Sequence, residues 1–234
     1  SWKKLKNKIL VMPNKSQKIQ DRLYFFLKRT LDLFLAIILL ILTLPVWILT
    51  AIAIKIDSPE GPVFADVPPR VGKNGQLFKI YKFRSMIPNA HQLLRTDPRF
   101  KKLYEEYKNN SYKLNHDPRV TRVGNFIRKY SIDELPQLIN VLKGEMSVVG
   151  PRPYYADELA EQTKKYPHTK NLIKKTLEVK PGITGLWQVS GRSEVDFEER
   201  IALDARYAQR RNLLDDVVIL LKSPWAVLSG KGAK

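Results

Sequence analysis

From Leu33 to Ile54 the chain reads LFLAIILLILTLPVWILTAIAI, 22 residues without a charge, in which Thr43, Pro45 and Thr50 are the only non-hydrophobic members. The apolar positions cover every face rather than one stripe. A helix of that kind suits hydrocarbon better than one side of a soluble core, and unbroken it would rise about 33 Å, enough to cross a bilayer. Downstream the patterns shorten. Asn74-Gly75 is a hairpin signal that predicts short strands on either side, with Phe78, Ile80, Tyr81 and Phe83 on the far one. Residues 89–115 predict polar helix, Asp117-Pro118 a turn, and the stretch around Asn125 to Lys129 a short helix. Leu135, Leu138, Ile139, Val141 and Leu142 recur at helical spacing. They predict a helix that starts near Ser131, with Ser131 and Glu134 as a capping box, and stops at Gly144.

Tyr154 to Lys175 reads as polar helix interrupted at Pro167, and VKPGITGLWQVSGRSEVDFEER as a glycine-rich loop. Asp196 to Arg211 reads as charged helix, and LLDDVVILLKSPWAVL as an apolar helix broken at Ser223-Pro224. The fold class expected is α+β, mostly helical, in three parts: a basic arm over 1–27, a membrane segment over 28–56, and a compact remainder over 57–234 with short strands. The terminal apolar helix suits a membrane surface or contact with a second copy in a homodimer.

Charge refines the membrane segment. Residues 1–29 carry nine Lys and Arg against one Asp, Lys55 follows the segment, and the remainder is basic too. The preference of cationic flanks for the cytoplasm therefore pulls both ends to one side. Pro45 removes a backbone donor and can bend the helix mid-membrane, and Thr43 could bond a freed carbonyl. A re-entrant helix-break-helix satisfies the charges; a kinked spanning helix is compatible with the same residues.

Over the whole chain 41 Lys and Arg face 23 acids, a net charge of +18, which calls for an anionic partner such as a phosphorylated substrate or an acidic membrane face. No cysteine is present, so disulfides and thiolate metal sites are excluded. The three scattered histidines, His91, His116 and His168, argue against zinc and leave Mg²⁺ on oxygen ligands.

The chemistry concentrates around Asp133-Glu134. Two acids in a first helical turn can be caps alone. Around them, however, are Arg128 just upstream, Arg152 in the rigid turn GPRP, Lys82 and Arg84 in KFRSM, and Arg192 in the glycine-rich SGRS. Basic groups set in turns suit a site for more than one phosphate, since guanidinium forks match phosphate oxygens. A carboxylate among phosphates can be ligand, base or nucleophile. A membrane segment beside such a site points to a phosphorylated lipid.

The runs KFRSM, DPRVTRVGNFIRKYSIDELPQLINVLKGEMSVVGPRP and PGITGLWQVSGR resemble the bacterial sugar transferases, the monotopic phosphoglycosyl transferases, over about Lys28 to Ala226. The resemblance implies transfer of a sugar-1-phosphate from a UDP-sugar to undecaprenyl phosphate with release of UMP. That reaction is the first membrane step of O-antigen, capsule or exopolysaccharide synthesis, on the cytoplasmic face of the bacterial inner membrane. It implies Asp133 as the nucleophile that forms a phosphosugar-aspartyl intermediate, Glu134 as the base toward the lipid phosphate, and Mg²⁺ held at Asp133. It also implies phosphate contacts at Lys82, Arg84, Arg128, Arg152 and Arg192. Pro45, with Thr43, is then the break that turns the membrane helix back, and Asp32 an acid at its entry, paired with Arg29.

The chain departs from the family pattern at Leu44 before Pro45, where relatives often have serine, at Pro68, where many have glutamine, and at Glu145 in place of aspartate. The long N-terminal membrane region of some relatives is not in this sequence, so the chain is expected to be a small member or the catalytic part of a larger one. Substrate selectivity is expected around Trp187 and Ser193 and in 96–115.

Two other classes fit parts of the sequence. A membrane-tethered nucleic-acid-binding protein would use the net charge. The arginines, however, gather at turns around acids rather than along one helix face, and no groove-reading motif appears, so nucleic acid is not an expected partner. A non-catalytic membrane scaffold would need none of the acid pair.

Overall fold

Both ends of one long apolar helix are fastened to the same folded body. In the computed structural model, which describes residues 15–109, 112, 114, 116–191, 195–210 and 212–228, helix α1 runs Lys15–Asp57. Residues 1–14 of the expected basic arm lie outside the described residues. From Lys15 onward the arm is helical and continuous with the membrane segment.

Near its start α1 is tied down by polar groups. Asp32 is buried and accepts from Ser147 Oγ at 2.8 Å and from the Val148 N–H at 3.0 Å, with Lys28 Nζ at 3.9 Å. Arg29 donates to the Val141 and Leu142 carbonyls at 2.6 and 3.0 Å. The expected Asp32–Arg29 pair is therefore replaced by two separate attachments, because Arg29 meets the carbonyl end of a helix and Asp32 meets donors. Lys28 and Tyr24 reach Asp216 at 3.2 and 3.4 Å.

At its far end Ile54 and Trp47 pack with Phe83 and Ile127, and Asp57 accepts from the Val123 N–H at 2.9 Å. Between these anchors no residue from Ile37 to Leu49 is buried, with Leu42 69% and Leu49 67% exposed. By length and composition α1 is apolar enough to cross a membrane.

The expected break at Pro45 is not a break in the helix: α1 continues through it. Proline there costs the bond to the Ile41 carbonyl only, and its fixed φ remains helical. Thr43 Oγ1 bonds the Leu39 carbonyl at 2.7 Å, one turn back, and not the carbonyl Pro45 leaves free.

After α1 the hairpin appears, shorter than expected. Strands β1 (Arg70–Val71) and β2 (Leu77–Phe78) pair antiparallel, Arg70 opposite Phe78, around a turn in which Asn74 and Gly75 take φ of 58° and 81°. On its other side β1 pairs with β4 (Tyr154–Tyr155), Arg70 opposite Tyr155. Ile80 and Tyr81 lie outside the strands, and Phe83 pairs singly with Phe64. Helices α2 (Ala90–Thr96) and α3 (Lys101–Asn109) fill the polar stretch, and α4 (Arg122–Lys129) is capped by Thr121 Oγ1, which accepts from the Gly124 N–H at 2.9 Å.

Helix α5 (Gln137–Lys143) ends at Gly144 as expected, with φ 82°. The capping box at Ser131 does not form. Ser131 takes φ 54° with no side-chain cap, and a 3₁₀ turn, Ile132–Glu134, precedes Pro136 and α5.

Strand β3 (Ser147–Val149) pairs in parallel with β5 (Gly182–Thr184), a strand inside the region expected as loop. Helices α6 (Ala156–Lys165) and α7 (Lys170–Thr176) flank Pro167, α8 (Leu186–Ser190) follows β5, and α9 (Phe197–Arg210) carries the charges. The terminal helix α10 (Leu213–Leu228) runs through Pro224 without the expected break. Ser223 Oγ bonds the Ile219 carbonyl, and so close to the helix end only one backbone bond is lost. Its Leu214, Leu221 and Trp225 are 72–79% exposed. The main core gathers Ala36 of α1, Leu138 and Val141 of α5, Val148 and Val149 of β3, Tyr207 of α9 and Ile219 of α10. The class is thus mostly helical with short strands.

Replacing Asp32 with Ala leaves the Ser147 hydroxyl and the Val148 N–H unpaired in a dry site. We expect a loss of about 2–4 kcal/mol in unfolding free energy, measured by denaturant titration in detergent. A loss below about 0.5 kcal/mol would show that the helix entry is held by apolar packing alone.

Candidate active site

Asp133 and Glu134 share one ammonium. Lys82 Nζ lies 3.1 Å from Asp133 Oδ2 and 3.1 Å from Glu134 Oε1. Backbone contacts create this meeting. The Phe83 N–H donates to the Asp133 carbonyl at 3.0 Å, which lays the 82–83 segment against the 3₁₀ turn. One residue earlier, the fully buried Asn140 of α5 accepts from the Tyr81 N–H at 3.0 Å and donates to the Lys79 carbonyl at 2.7 Å. Asn140 therefore fixes the register that brings Lys82 to the acids. The left-handed Ser131 turns the chain sharply between α4 and the 3₁₀ turn, so the acids do not continue the α4 face.

Burial pushes the Asp133 carboxyl above its usual range, against the pull of Lys82 and with a further push from Glu134. Burial works against the Lys82 ammonium too, but Asp133 and Glu134 outweigh it and hold its pKa above normal. The pair is differentiated by exposure: the Asp133 side chain is 8% exposed and that of Glu134 34%.

The acids open on a cavity of about 820 Å³. Arg128, at the last turn of α4, and Arg152, in the GPRP turn, both line it, and each keeps a buried nitrogen without a hydrogen-bond partner among the described residues, Nη1 and Nε respectively. Arg70 does the same with Nε. Its guanidinium lies 3.2 Å from the Tyr155 ring centroid and donates to the Pro153 carbonyl at 3.2 Å. Buried, unmatched guanidinium donors around one space are what an absent polyanion would leave behind.

Sequence reasoning missed Arg70 as a wall of this cavity. Its signal was available, since it follows Pro68-Pro69 as another basic group in a rigid turn. Arg84 is turned elsewhere: it donates to the Pro62 carbonyl at 2.6 Å, Ser58 Oγ at 2.7 Å and the Ser58 carbonyl at 2.6 Å, so it braces the loop that leaves the membrane helix. Arg192 and Ser193 lie outside the described residues.

One wall comes from Ala90 and His91 of α2 and from Tyr107 of α3, Tyr112 and Leu114; the last three lie in the 96–115 region expected to set selectivity, with Tyr107 and Tyr112 edge-to-face at 5.1 Å. His91 stands there 6.0 Å from Tyr155; burial and then the neighbouring Arg70, Arg119 and Arg95 lower its pKa to about 4. It is therefore a neutral imidazole. Trp187 also lines the cavity, with Arg152 over its ring at 5.2 Å.

Among the described residues no three metal-ligating side chains are gathered into a cage. Adjacent hard carboxylates facing a phosphate-sized space do fit Mg²⁺, which commonly takes one or two carboxylates and completes its shell with substrate oxygens and water. Asp133 and Glu134 are the residues that would hold it.

Behind Arg152 a second carboxylate is buried. Asp204 of α9 accepts from the Tyr154 hydroxyl at 2.8 Å and the Arg152 N–H at 3.2 Å. Burial raises its pKa to about 7, opposed by those two bonds and by Arg200 and Arg152.

A family model described as bacterial sugar transferase matches residues 23–230. The undecaprenyl-phosphate galactose phosphotransferase of Salmonella typhimurium is 43% identical over 212 residues, covering 89% of this chain and 42% of the relative. The UDP-galactose-lipid carrier transferase of Erwinia amylovora is 42% identical over 229 residues, covering 96% and 44%. The exopolysaccharide production protein ExoY of Sinorhizobium fredii is 42% identical over 210 residues, covering 88% and 87%. The chain thus spans less than half the length of the first two relatives and most of the third.

An aspartic acid that binds its proton more tightly folded than unfolded favours folding at low pH, and loses that contribution as pH rises from about 4 through about 7. We expect stability to decline over that window, and Asp204→Asn to flatten the decline, as read from thermal midpoints across pH. An unchanged slope in the variant would show that another group carries it.

Proposed function

The chain belongs to the bacterial sugar transferases, and from that premise we propose that it moves a sugar-1-phosphate from a UDP-sugar to undecaprenyl phosphate, releasing UMP. One observation carries the reading: a buried carboxylate and its neighbour share Lys82 at 3.1 Å on a cavity ringed by under-paired arginines.

In this reading the diphosphate lies among Lys82, Arg70, Arg128 and Arg152. Asp133 attacks the β-phosphorus; its Oδ–P bond forms as the P–O bond to UMP breaks, giving a phosphosugar-aspartyl intermediate. The lipid phosphate then attacks the same phosphorus. Its P–O bond forms as the aspartyl–P bond breaks, and Glu134 takes the proton from the lipid phosphate. The unequal exposure of the two acids supports this division, the drier one as nucleophile and the wetter one as base. Lys82 pulls the Asp133 carboxyl toward its ionised form and so opposes its burial. Mg²⁺, when bound at Asp133 and Glu134, would supply charge neutralisation for the diphosphate. Arg84 then acts by holding the Ser58–Pro62 loop.

The same reading takes α1 as re-entrant, with the catalytic body on the cytoplasmic face of the inner membrane. The support is mechanical. Asp32 and Asp57 are bound by one folded body while the apolar middle is exposed. A helix that crossed roughly 30 Å of hydrocarbon would put its two ends on opposite sides. The chain remains one helix through Pro45, so the reversal would be a bend with both ends returning, without a gap in the helix.

Asp133→Asn should reduce UMP release by about 10³-fold or more and abolish trapping of labelled sugar-phosphate on the protein. Glu134→Gln should lose about 10²–10⁴-fold in turnover with lipid acceptor. Wild-type-like UMP release from the Asp133 variant would sink the nucleophile assignment, and a wild type that releases no UMP, with both variants behaving like it, would leave a scaffold role.

Because the chain has no cysteine, single cysteines at Gln20 and Glu60 report topology cleanly. In sealed vesicles both should react with an impermeant maleimide from the same side, and reaction of only one would mean that α1 spans.

A further inference from the structure

A second cluster of cations lies near the start of the apolar run of α1. A recess of about 270 Å³ is walled by the Gly72–Phe78 hairpin, Gly144, Glu145 and Lys180. Three segments distant in sequence bring cations to it. Lys180 Nζ and Arg29 Nη2 both lie within 3.5 Å of the point where Gly144 would carry a Cβ. Lys73 Nζ stands 4.8 Å from the ring centroid of Phe25 on α1.

The recess is poorly neutralised. Arg29 has its bonds to the Val141 and Leu142 carbonyls, but among the described residues no carboxylate comes within ion-pair distance of Lys180 or Lys73. Glu145, the acid on the wall, accepts from Asn140 Nδ2 at 2.7 Å. Burial, then Arg29 and Lys73, hold the Lys180 ammonium below its usual pKa, with Asp32 opposing. Three cations gathered where no carboxylate pairs with either lysine are a cost the fold carries for some ligand or leaves to solvent.

Depth says which ligand. Arg29 precedes the apolar run at Leu33 by four residues, about 6 Å of helix. Headgroups extend roughly 5–7 Å beyond each face of the hydrocarbon core. The cations therefore stand level with lipid phosphates, beside the exposed Phe26, Leu27 and Leu77. The recess lies at the carbonyl end of α5, whereas Asp133 and Glu134 precede its other end, so it is separate from the acid pair.

We infer that Lys73, Lys180 and Arg29 form a binding site for the phosphate of an anionic phospholipid headgroup, which seats the entry of α1 at the membrane surface. This rests on the membrane reading of α1 and not on the reaction assigned to Asp133.

The test uses the full chain in nanodiscs of phosphatidylcholine with increasing phosphatidylglycerol. Retained lipid is counted by native mass spectrometry and thermal midpoints are followed in parallel. The wild type should retain one phosphatidylglycerol in preference to phosphatidylcholine and gain stability with it. Lys73→Gln with Lys180→Gln should weaken that preference by about 30-fold, while Lys170→Gln with Lys174→Gln, an equal charge loss on exposed α7, should leave it intact.

Equal loss in the two double variants would reduce the effect to overall charge and overturn the site, as would undiminished retention in the first. Inorganic phosphate in pure phosphatidylcholine discs is the second arm. Stabilisation by it that requires Lys73 and Lys180, without lipid retention, would assign a soluble anion and overturn the lipid assignment. Failure of the chain to embed in any disc would instead overturn the membrane reading itself, an outcome separable from all of these.

Discussion

A helix that offers its apolar middle to lipid has to be held by its ends, and here the holding is done by carboxylates against backbone and hydroxyl donors. Asp32 takes the Val148 N–H and the Ser147 hydroxyl; Asp57 takes the Val123 N–H. Each attachment continues directly into the site. Val148 and Val149 of β3 lead through Gly150 to Arg152, and Val123 lies in the first turn of the helix whose last turn carries Arg128. Two of the three cavity arginines with unmatched buried nitrogens are thus positioned from the two ends of the membrane helix. Seating α1 and assembling this part of the cavity wall become one structural event.

Asn140 completes the arrangement from the centre of the body. By gripping the backbone at Lys79 and Tyr81 it sets which residue faces the acid pair, and Lys82 follows. Such a network makes a local change costly at a distance, because a buried amide that loses one backbone partner keeps the full desolvation penalty of the other. The same principle applies to Asp204, which fixes the Arg152 N–H from beneath and binds its own proton near neutrality.

What the sequence could announce was local chemistry. Asn74-Gly75 marks its turn because two positive φ angles can be read from residue type, and Gly144 marks its helix end for the same reason. The apolar segment was legible by length. Ser131 misled because its left-handed conformation is imposed by the packing of Phe83 against Asp133, which no three-residue spacing reports. The short strand at Gly182–Thr184 was invisible, since its partner lies some 35 residues earlier and three residues carry no period. Arg84 illustrates a third limit. Its sequence context matches that of Lys82 two positions before it, and strand alternation would set both on one face, yet Arg84 bonds the Ser58–Pro62 loop and Lys82 the acids. The acid pair itself was legible from the clustering of basic turns around it, and Arg70 could have been read from its place after Pro68-Pro69, while the role of Asn140 required coordinates.

The charge balance of the cavity explains why a carboxylate could serve as nucleophile toward a substrate that is itself anionic. Two unit charges of like sign 4 Å apart repel by about 1 kcal/mol in water and about 4 kcal/mol at the effective dielectric of a protein surface. A bare aspartate approaching a diphosphate would meet several such terms. Lys82 offsets the pair of acids, and Arg70, Arg128 and Arg152 outnumber the charge that remains, so the field at the cavity favours the approach of an anion to Asp133. The buried guanidinium nitrogens need no reorganisation to act, since they are already dry and lack competing partners. His91, kept neutral by burial and then by Arg70, Arg119 and Arg95, adds a hydrogen-bonding group to that wall without adding charge. In the proposed reaction the arrangement would separate two tasks that cations alone would confuse, drawing phosphates toward the acids and contacting the uncharged part of the substrate.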